Sequence, residues 1–231
     1  MELYLVNVKE LEDFKFPLLE IEIKEYNNLS SKKRKLEWRV SRWLRRRVLS
    51  DKLGMRPEEL VFSVGANGRP FLLDHEDIDF NISHSGIWLV MLVSSQSIGI
   101  DIESYQENRN VVGIAKNYFL LEEYLAIMNS SNANFLFHQL WTLKESYVKA
   151  TGEGIANGFK KYGFNISEQG IEPLFLGKQF FFGSYSFHNT IISISSIKPQ
   201  SNMLVKELHA TGLFEKSNLL NTLQMSQTDI I

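Results

Sequence analysis

The sequence predicts an α+β protein, because apolar stripes at helical spacing and short β-like runs occupy separate stretches, turn formers divide the runs, and helix followed by strands occurs twice. Its 231 residues, 44% hydrophobic and 12% aromatic, can fill the core of one large domain or two small ones. The element order alone suggests an internal duplication, although residue identities do not repeat.

The opening residues alternate around Leu3, Leu5 and Val8 and read as a strand. From about Ser30 to Ser50, Leu36, Val40, Trp43, Leu44 and Val48 form one helical stripe that Gly54 and Pro57 terminate. Short β-like runs follow at Leu60–Val64, Ile78–Ile82, Trp88–Val93 and Ile98–Ile102, a spacing that favours an antiparallel sheet. The pattern then restarts, with helices expected at Val111–Met128 and Phe135–Thr151 and β-like runs near Tyr162–Ile166, Phe180–Phe187 and Thr190–Ile197. Beyond Lys216 the chain reads as a peripheral helix or a loose tail.

Composition excludes several classes of function. With 25 Lys plus Arg against 27 Asp plus Glu, the net charge of −2 makes no global case for nucleic acid. The absence of cysteine rules out disulfides, thiolate metal sites and cysteine nucleophiles. No apolar run is long enough to span a bilayer and no signal peptide is visible, so a soluble, cytoplasmic protein without membrane contact is expected.

Four segments carry candidate chemistry. In Ile98-Gly99-Ile100-Asp101-Ile102-Glu103 the isoleucines share one strand face, and Asp101 and Glu103 share the other. Two hard carboxylates one pleat apart suit Mg²⁺, though a solvated strand face is the commoner origin of an isolated Asp-x-Glu. In the helix Trp141–Lys149, Trp141, Glu145 and Lys149 lie four apart on one face, as a site or as an ordinary surface pair ahead of the helix stop at Gly152 and Gly154. Asn81-Ile82-Ser83-His84-Ser85-Gly86 reads as a loop able to wrap a phosphate, or as a hairpin turn with an exposed histidine. Between Lys32 and Arg47 stand nine basic residues and one acid, Glu37. Lys35, Arg39, Arg42 and Arg46 make a cationic stripe, which fits a polyanionic ligand as well as a solvated face.

Together and in this order, Asn67-Gly68-Arg69-Pro70, Phe80 through Trp88, Gly99 through Glu103, and Trp141 through Lys149 with Gly152-Glu153-Gly154 resemble the 4′-phosphopantetheinyl transferases of the long, Sfp-type class. The short class, trimers of a half-length chain, fits worse. The resemblance implies a monomer of two similar α+β halves, each a small antiparallel sheet packed with a long helix, and an active site in the cleft between them. The halves would be 1–104, with the basic helix, the Ser-His-Ser-Gly loop and the acidic strand, and 105–215, leaving 216–231 as a tail.

It further implies transfer of 4′-phosphopantetheine from coenzyme A to a serine of an apo acyl or peptidyl carrier protein, with Mg²⁺ and release of 3′,5′-ADP. Asp101, Glu103 and Glu145 would hold the metal, and Lys144 and Lys149 would neutralise charge on the transferring group. Glu145 would be the general base, directly or through water, and Glu103 could share that task. Coenzyme A would meet Ser83, His84, the Gly68-Arg69-Pro70 turn, Lys33, Arg34 and Arg42; Arg69 replaces the usual lysine of that turn. Asn117 through Tyr124 matches a helix associated with carrier docking. The competing assignments are a Mg²⁺-dependent nuclease or other phosphodiester enzyme, and a binding module on the same scaffold. A nuclease of the Asp…(Asp/Glu)-x-Lys type would need lysine where Tyr105 follows Glu103, and a module without catalysis would not need all three acids.

Overall fold

The computed structural model describes residues 1–105, 110–154, 159–176, 179–200, 203–209 and 211–216; the expected tail lies almost wholly outside them. In chain order the first elements are β1 (Glu2–Asn7), α1 (Glu20–Asn27), α2 (Lys32–Leu53), β2 (Phe62–Val64), β3 (Pro70–Leu72), β4 (Asp79–Ser85), β5 (Trp88–Ser94) and β6 (Ile98–Ser104). There follow α3 (Val111–Tyr118), α4 (Leu121–Asn129), α5 (Ala133–Thr151), β7 (Phe164–Ser167), β8 (Gly170–Pro173), β9 (Phe181–Phe187), β10 (Thr190–Ser196), β11 (Leu204–Leu208) and β12 (Phe214–Lys216).

Period-2 alternation builds the centre. In β1, Tyr4 and Val6 face one way and Leu3 and Leu5 the other, and all four are buried. β1 is the middle of a five-stranded sheet of order β12-β11-β1-β5-β4, and a three-stranded sheet of order β6-β10-β9 packs on it. Tyr4 and Val6, with Phe80, Leu89 and Met91, receive the stripe Val40, Leu44 and Val48 of α2. Leu3, Leu5, Val90 and Leu92 meet Ile98, Ile100, Ile102, Ile192 and Ile194 between the sheets. α5 covers the outer face of the three-stranded sheet and is itself backed by α3, α4 and β7. The order of layers is therefore helix, sheet, sheet, helix, in keeping with the α+β expectation.

The structure departs from the sequence reading in four places. β11 pairs with β1 in parallel, so residues 204–216 belong to the first sheet, while β6 joins β9 and β10 in the second. The expected boundary at 104/105 is thus crossed by strands in both directions, and the sheets are neither equal in size nor wholly antiparallel. The expected helix Val111–Met128 is two helices, broken where the Glu123 carboxylate accepts from the Leu120 N–H at 3.0 Å and starts α4 afresh. Asn81–Ser85 is not loop but the body of β4; only Gly86, at φ 63°, turns the chain. α1 carried no recognised signal and is tied to α2 by Glu22, whose carboxylate accepts from Arg46 Nε at 3.1 Å.

Candidate active site

The acids are brought together by helix phase and by one glycine. Asn132 caps α5 by accepting from Phe135 N, and Gly152 ends it at φ 74°. Within it Leu140, Leu143 and Tyr147 point to the apolar layer behind, and Thr142, Glu145, Ser146 and Lys149 follow at spacings of 3, 1 and 3 on the face toward the sheet. That face is hydroxyl-lined: Thr142 meets Ser193 at 2.7 Å and Ser146 meets Ser195 at 2.8 Å. Gly99, Asp101 and Glu103 lie on the matching face of β6. A Cβ on Gly99 would run into the Ser146 carbonyl oxygen and stand 2.6 Å from the Ala150 nitrogen, so only glycine lets helix and strand touch here. Gly99→Ala is expected to cost at least about 2 kcal/mol, since the atoms in the way are backbone; thermal unfolding checks it, and an unchanged midpoint would mean the helix is free to retreat.

Lys149 Nζ donates to Asp101 Oδ1 at 2.6 Å and to Ser83 Oγ at 3.0 Å, and Ser83 Oγ donates to the same Asp101 oxygen at 2.7 Å. Ser85 Oγ donates to Glu103 Oε2 at 2.9 Å. Glu145 is 7% exposed, and burial, aided by Asp101 and Glu103 and opposed by Lys149, pushes its carboxyl up to about 7. The three acids thus feel one another. Among the described residues, however, no three acidic or imidazole groups gather closely enough to hold a metal ion as they stand. Asp101 Oδ1 is instead shared by Lys149 and Ser83. A hard divalent cation nevertheless fits the donors: all are carboxylate oxygens, Asp101 Oδ2 is buried without a partner, and Glu145 carries the repulsion a cation would relieve.

Of two clefts, the smaller reaches this centre at Lys149 and the larger opens at Gly86 and Ile87, just beyond Ser85. The smaller, of about 230 Å³, gathers Asn67, Gly68, Arg69, Pro70, Asn81, Lys149, Gly152 and Gly154, so three of the four segments that carry the family resemblance share a wall. The larger, of about 560 Å³, has Val8, Tyr26, Leu36 and Ile87 as apolar lining, Lys9, Lys32, Lys33, Lys35 and Arg39 as cations, and Glu12 and Glu37 as acids, Glu37 lying 3.6 Å from Lys33.

The remaining expected residues scatter. Lys144 needs correction: one helix position from Glu145, it turns about 100° away into the core and is 0% exposed. There it pairs with Glu123 at 2.7 Å and donates to the carbonyls of Phe159 and Tyr162, so it cannot reach a transferring phosphate. Arg46 leaves the cationic stripe for Glu22 and the carbonyls of Pro57 and Leu60. Arg42 pairs with Glu25 at 3.1 Å and lies over the Trp38 ring, Arg34 is exposed, and neither lines the larger cleft, whereas Lys33 does. His84 is exposed on the face of β4 opposite Ser83. Arg69 spends its fork inside the protein, on both oxygens of Asp79, on the Ile98 carbonyl and on the Lys149 and Ala150 carbonyls at the end of α5. Asp79 was missed, and Asn81, Ser85 and Gly99 stood in singled-out segments without the parts they play here; the polar alternation Asp79, Asn81, Ser83, Ser85 was the available signal.

A family model described as the 4′-phosphopantetheinyl transferase superfamily matches residues 97–197, and one described as 4′-phosphopantetheinyl transferase, N-terminal, matches residues 19–97. The chain is 30% identical over 131 residues to the 4′-phosphopantetheinyl transferase psf-1 of Bacillus pumilus, covering 56% of this chain and 55% of that protein. It is 33% identical over 127 residues to the 4′-phosphopantetheinyl transferase Sfp of Bacillus subtilis (strain 168), covering 54% and 56%. Over 153 residues it is 31% identical to the 4′-phosphopantetheinyl transferase HetI of a Nostoc species, covering 64% and 65%. The chain spans about half the length of the first two and somewhat more of the third. The two family matches run end to end from residue 19 to residue 197, and the chain belongs to the Sfp-type 4′-phosphopantetheinyl transferase superfamily.

Proposed function

We propose that this protein moves the 4′-phosphopantetheine arm of coenzyme A onto a serine of an apo acyl or peptidyl carrier protein, with Mg²⁺, and releases 3′,5′-ADP. The observation that carries the proposal is that a helix more than forty positions later packs on the acidic strand, with Lys149 2.6 Å from Asp101 and with Glu145 buried, its carboxyl raised first by that burial and then by Asp101 and Glu103. Asp101, Glu103 and Glu145 would hold the metal. When bound, Mg²⁺ supplies charge neutralisation for the pyrophosphate.

The chain's own groups account for the rest. The carrier serine oxygen attacks the phosphorus bearing the pantetheine arm, and the bond from that phosphorus to 3′,5′-ADP breaks. Glu145, directly or through a water, takes the serine proton, and Glu103 is placed to share that task. Lys149, held by Asp101 and Ser83, presents a fixed positive charge to the oxygens on which charge grows. Lys33 and its neighbours Lys32, Lys35 and Arg39 offer the 3′-phosphate of coenzyme A a cationic rim, and Gly68 and Pro70 flank the smaller cleft. The seam between the two sheets is, in this proposal, the cleft between two related halves.

The carrier would rest on Tyr118, Leu121, Leu125 and Met128, exposed apolar residues of α3 and α4. We also propose a cytoplasmic monomer that binds neither nucleic acid nor membrane. Internal pairing of Arg42 and Arg46 disfavours a phosphate track, and no described helix is long and apolar enough to cross a membrane. Incubation with coenzyme A, Mg²⁺ and an apo carrier, followed by mass spectrometry, tests the proposal: gain of one phosphopantetheine on the serine supports it, and no gain with any apo carrier of fatty acid, polyketide or peptide synthesis sinks it.

A further inference from the structure

β4 and β6 are edge strands of different sheets, and side chains join them. Asp79 Oδ2 accepts from Ile98 N at 3.1 Å, Asn81 Oδ1 from Ile100 N at 2.9 Å, and Ser85 Oγ from Ser104 N at 2.9 Å. The rungs advance by two residues and then by four on both β4 and β6, so the strands run the same way with polar side chains standing in for a backbone ladder. The intervening rung differs: Ser83 donates to the Asp101 carboxylate.

A hydroxyl has one proton to give and two lone pairs to accept with, whereas an ionised carboxylate can only accept. Ser85 therefore gives its proton to Glu103 Oε2 and accepts from the Ser104 amide. Ser83 gives its proton to Asp101 Oδ1 and accepts from the Lys149 ammonium. The direction of both bonds is fixed by the carboxylates. One oxygen of Asp101 is anchored, and its partner Oδ2 is left buried and unpartnered.

We infer that Ser83 and Ser85 are positioning residues that hold the two carboxylates of β6 in place for a divalent cation. This rests on the proposed role of Asp101 and Glu103 as metal ligands, and it gives Ser83 a task other than the phosphate contact expected from sequence. Outer partners of metal ligands typically govern about 10–100-fold in metal affinity.

The test is Mn²⁺ binding to the full chain without coenzyme A, followed by the loss of the free-ion paramagnetic resonance signal. Ser83→Ala and Ser85→Ala should each weaken Mn²⁺ binding about 10–100-fold, and Ser83→Thr and Ser85→Thr, which keep the hydroxyl, should restore most of it. Cooperative thermal unfolding of each variant shows that the loss is not global. Unaltered Mn²⁺ affinity in both alanine variants overturns the inference while leaving the cation itself in place. A higher KM for coenzyme A with unaltered Mn²⁺ affinity in Ser83→Ala would return that residue to phosphate binding. If the unsubstituted protein takes up no Mn²⁺, the cation proposal fails first and the inference falls with it.

Discussion

Lys144→Met is expected to destabilise the fold by about 3–5 kcal/mol while leaving the chemistry of the folded fraction intact. Lys144 and Glu123 are both fully buried, and the lysine also satisfies the carbonyls of Phe159 and Tyr162. Burial pushes Glu123 up and Lys144 down, outweighing their mutual attraction. Removing the cation strands the acid, which can escape only by taking a proton. In the variant the folded state therefore keeps a proton on Glu123 that the unfolded chain loses near its ordinary value, so the deficit should widen as pH rises through neutrality. Removing both charges, Glu123→Gln with Lys144→Met, should cost less than Lys144→Met alone, because no uncompensated charge remains. Denaturant titrations at pH 5 and 8, with transfer assayed well below the variant's midpoint, check this. A stable variant that has lost transfer would restore Lys144 to the active site.

The contrast between Lys144 and Glu145 shows what the sequence could and could not disclose. α2 and α5 were legible to within about three residues because a helix stripe is a local pattern. The inward turn of Lys144 was also implicit, since the stripe through Leu140, Leu143 and Tyr147 lies beside it, but a lysine in the phase of a core stripe suggests nothing without its buried acid in view. Glu123 sits in another helix. The parallel pairing of β11 with β1 joins residues about two hundred positions apart and leaves no mark in a five-residue window such as Leu204–Leu208. Arg69 reads as a ligand in the sequence because its segment resembles a binding turn. Its actual partners include carbonyls some 80 positions later, which no side-chain motif encodes. Asp101, Glu103 and Glu145 were legible as candidates from their acids and the family resemblance, whereas Ser83 and Ser85 were legible only as phosphate donors of an expected loop and not as partners of the first two acids.

Glu145→Gln should lower transfer by about a thousandfold or more, the loss of a general base and a metal ligand together, and yet make the metal-free protein more stable at high pH. The second effect follows from the position of the carboxyl, whose value rises from 4.5 in the unfolded chain to about 7 in the folded one. Between those values the native state holds a proton that the unfolded state has released, so stability falls as pH rises through that window and stays low above it. The full difference is of order 3 kcal/mol. Glutamine mimics the protonated acid at every pH and removes the slope. In chelator-treated samples the variant should match the parent near pH 4 and unfold at a higher temperature at pH 8, while added Mg²⁺ should stabilise the parent far more than the variant. A glutamine variant that transfers at the parental rate would remove Glu145 from the chemistry. One that is less stable than the parent at pH 8 without metal would show that burial and the neighbouring Asp101 and Glu103 together impose no strain on it, and with that the electrostatic case for a cation at this seam would go.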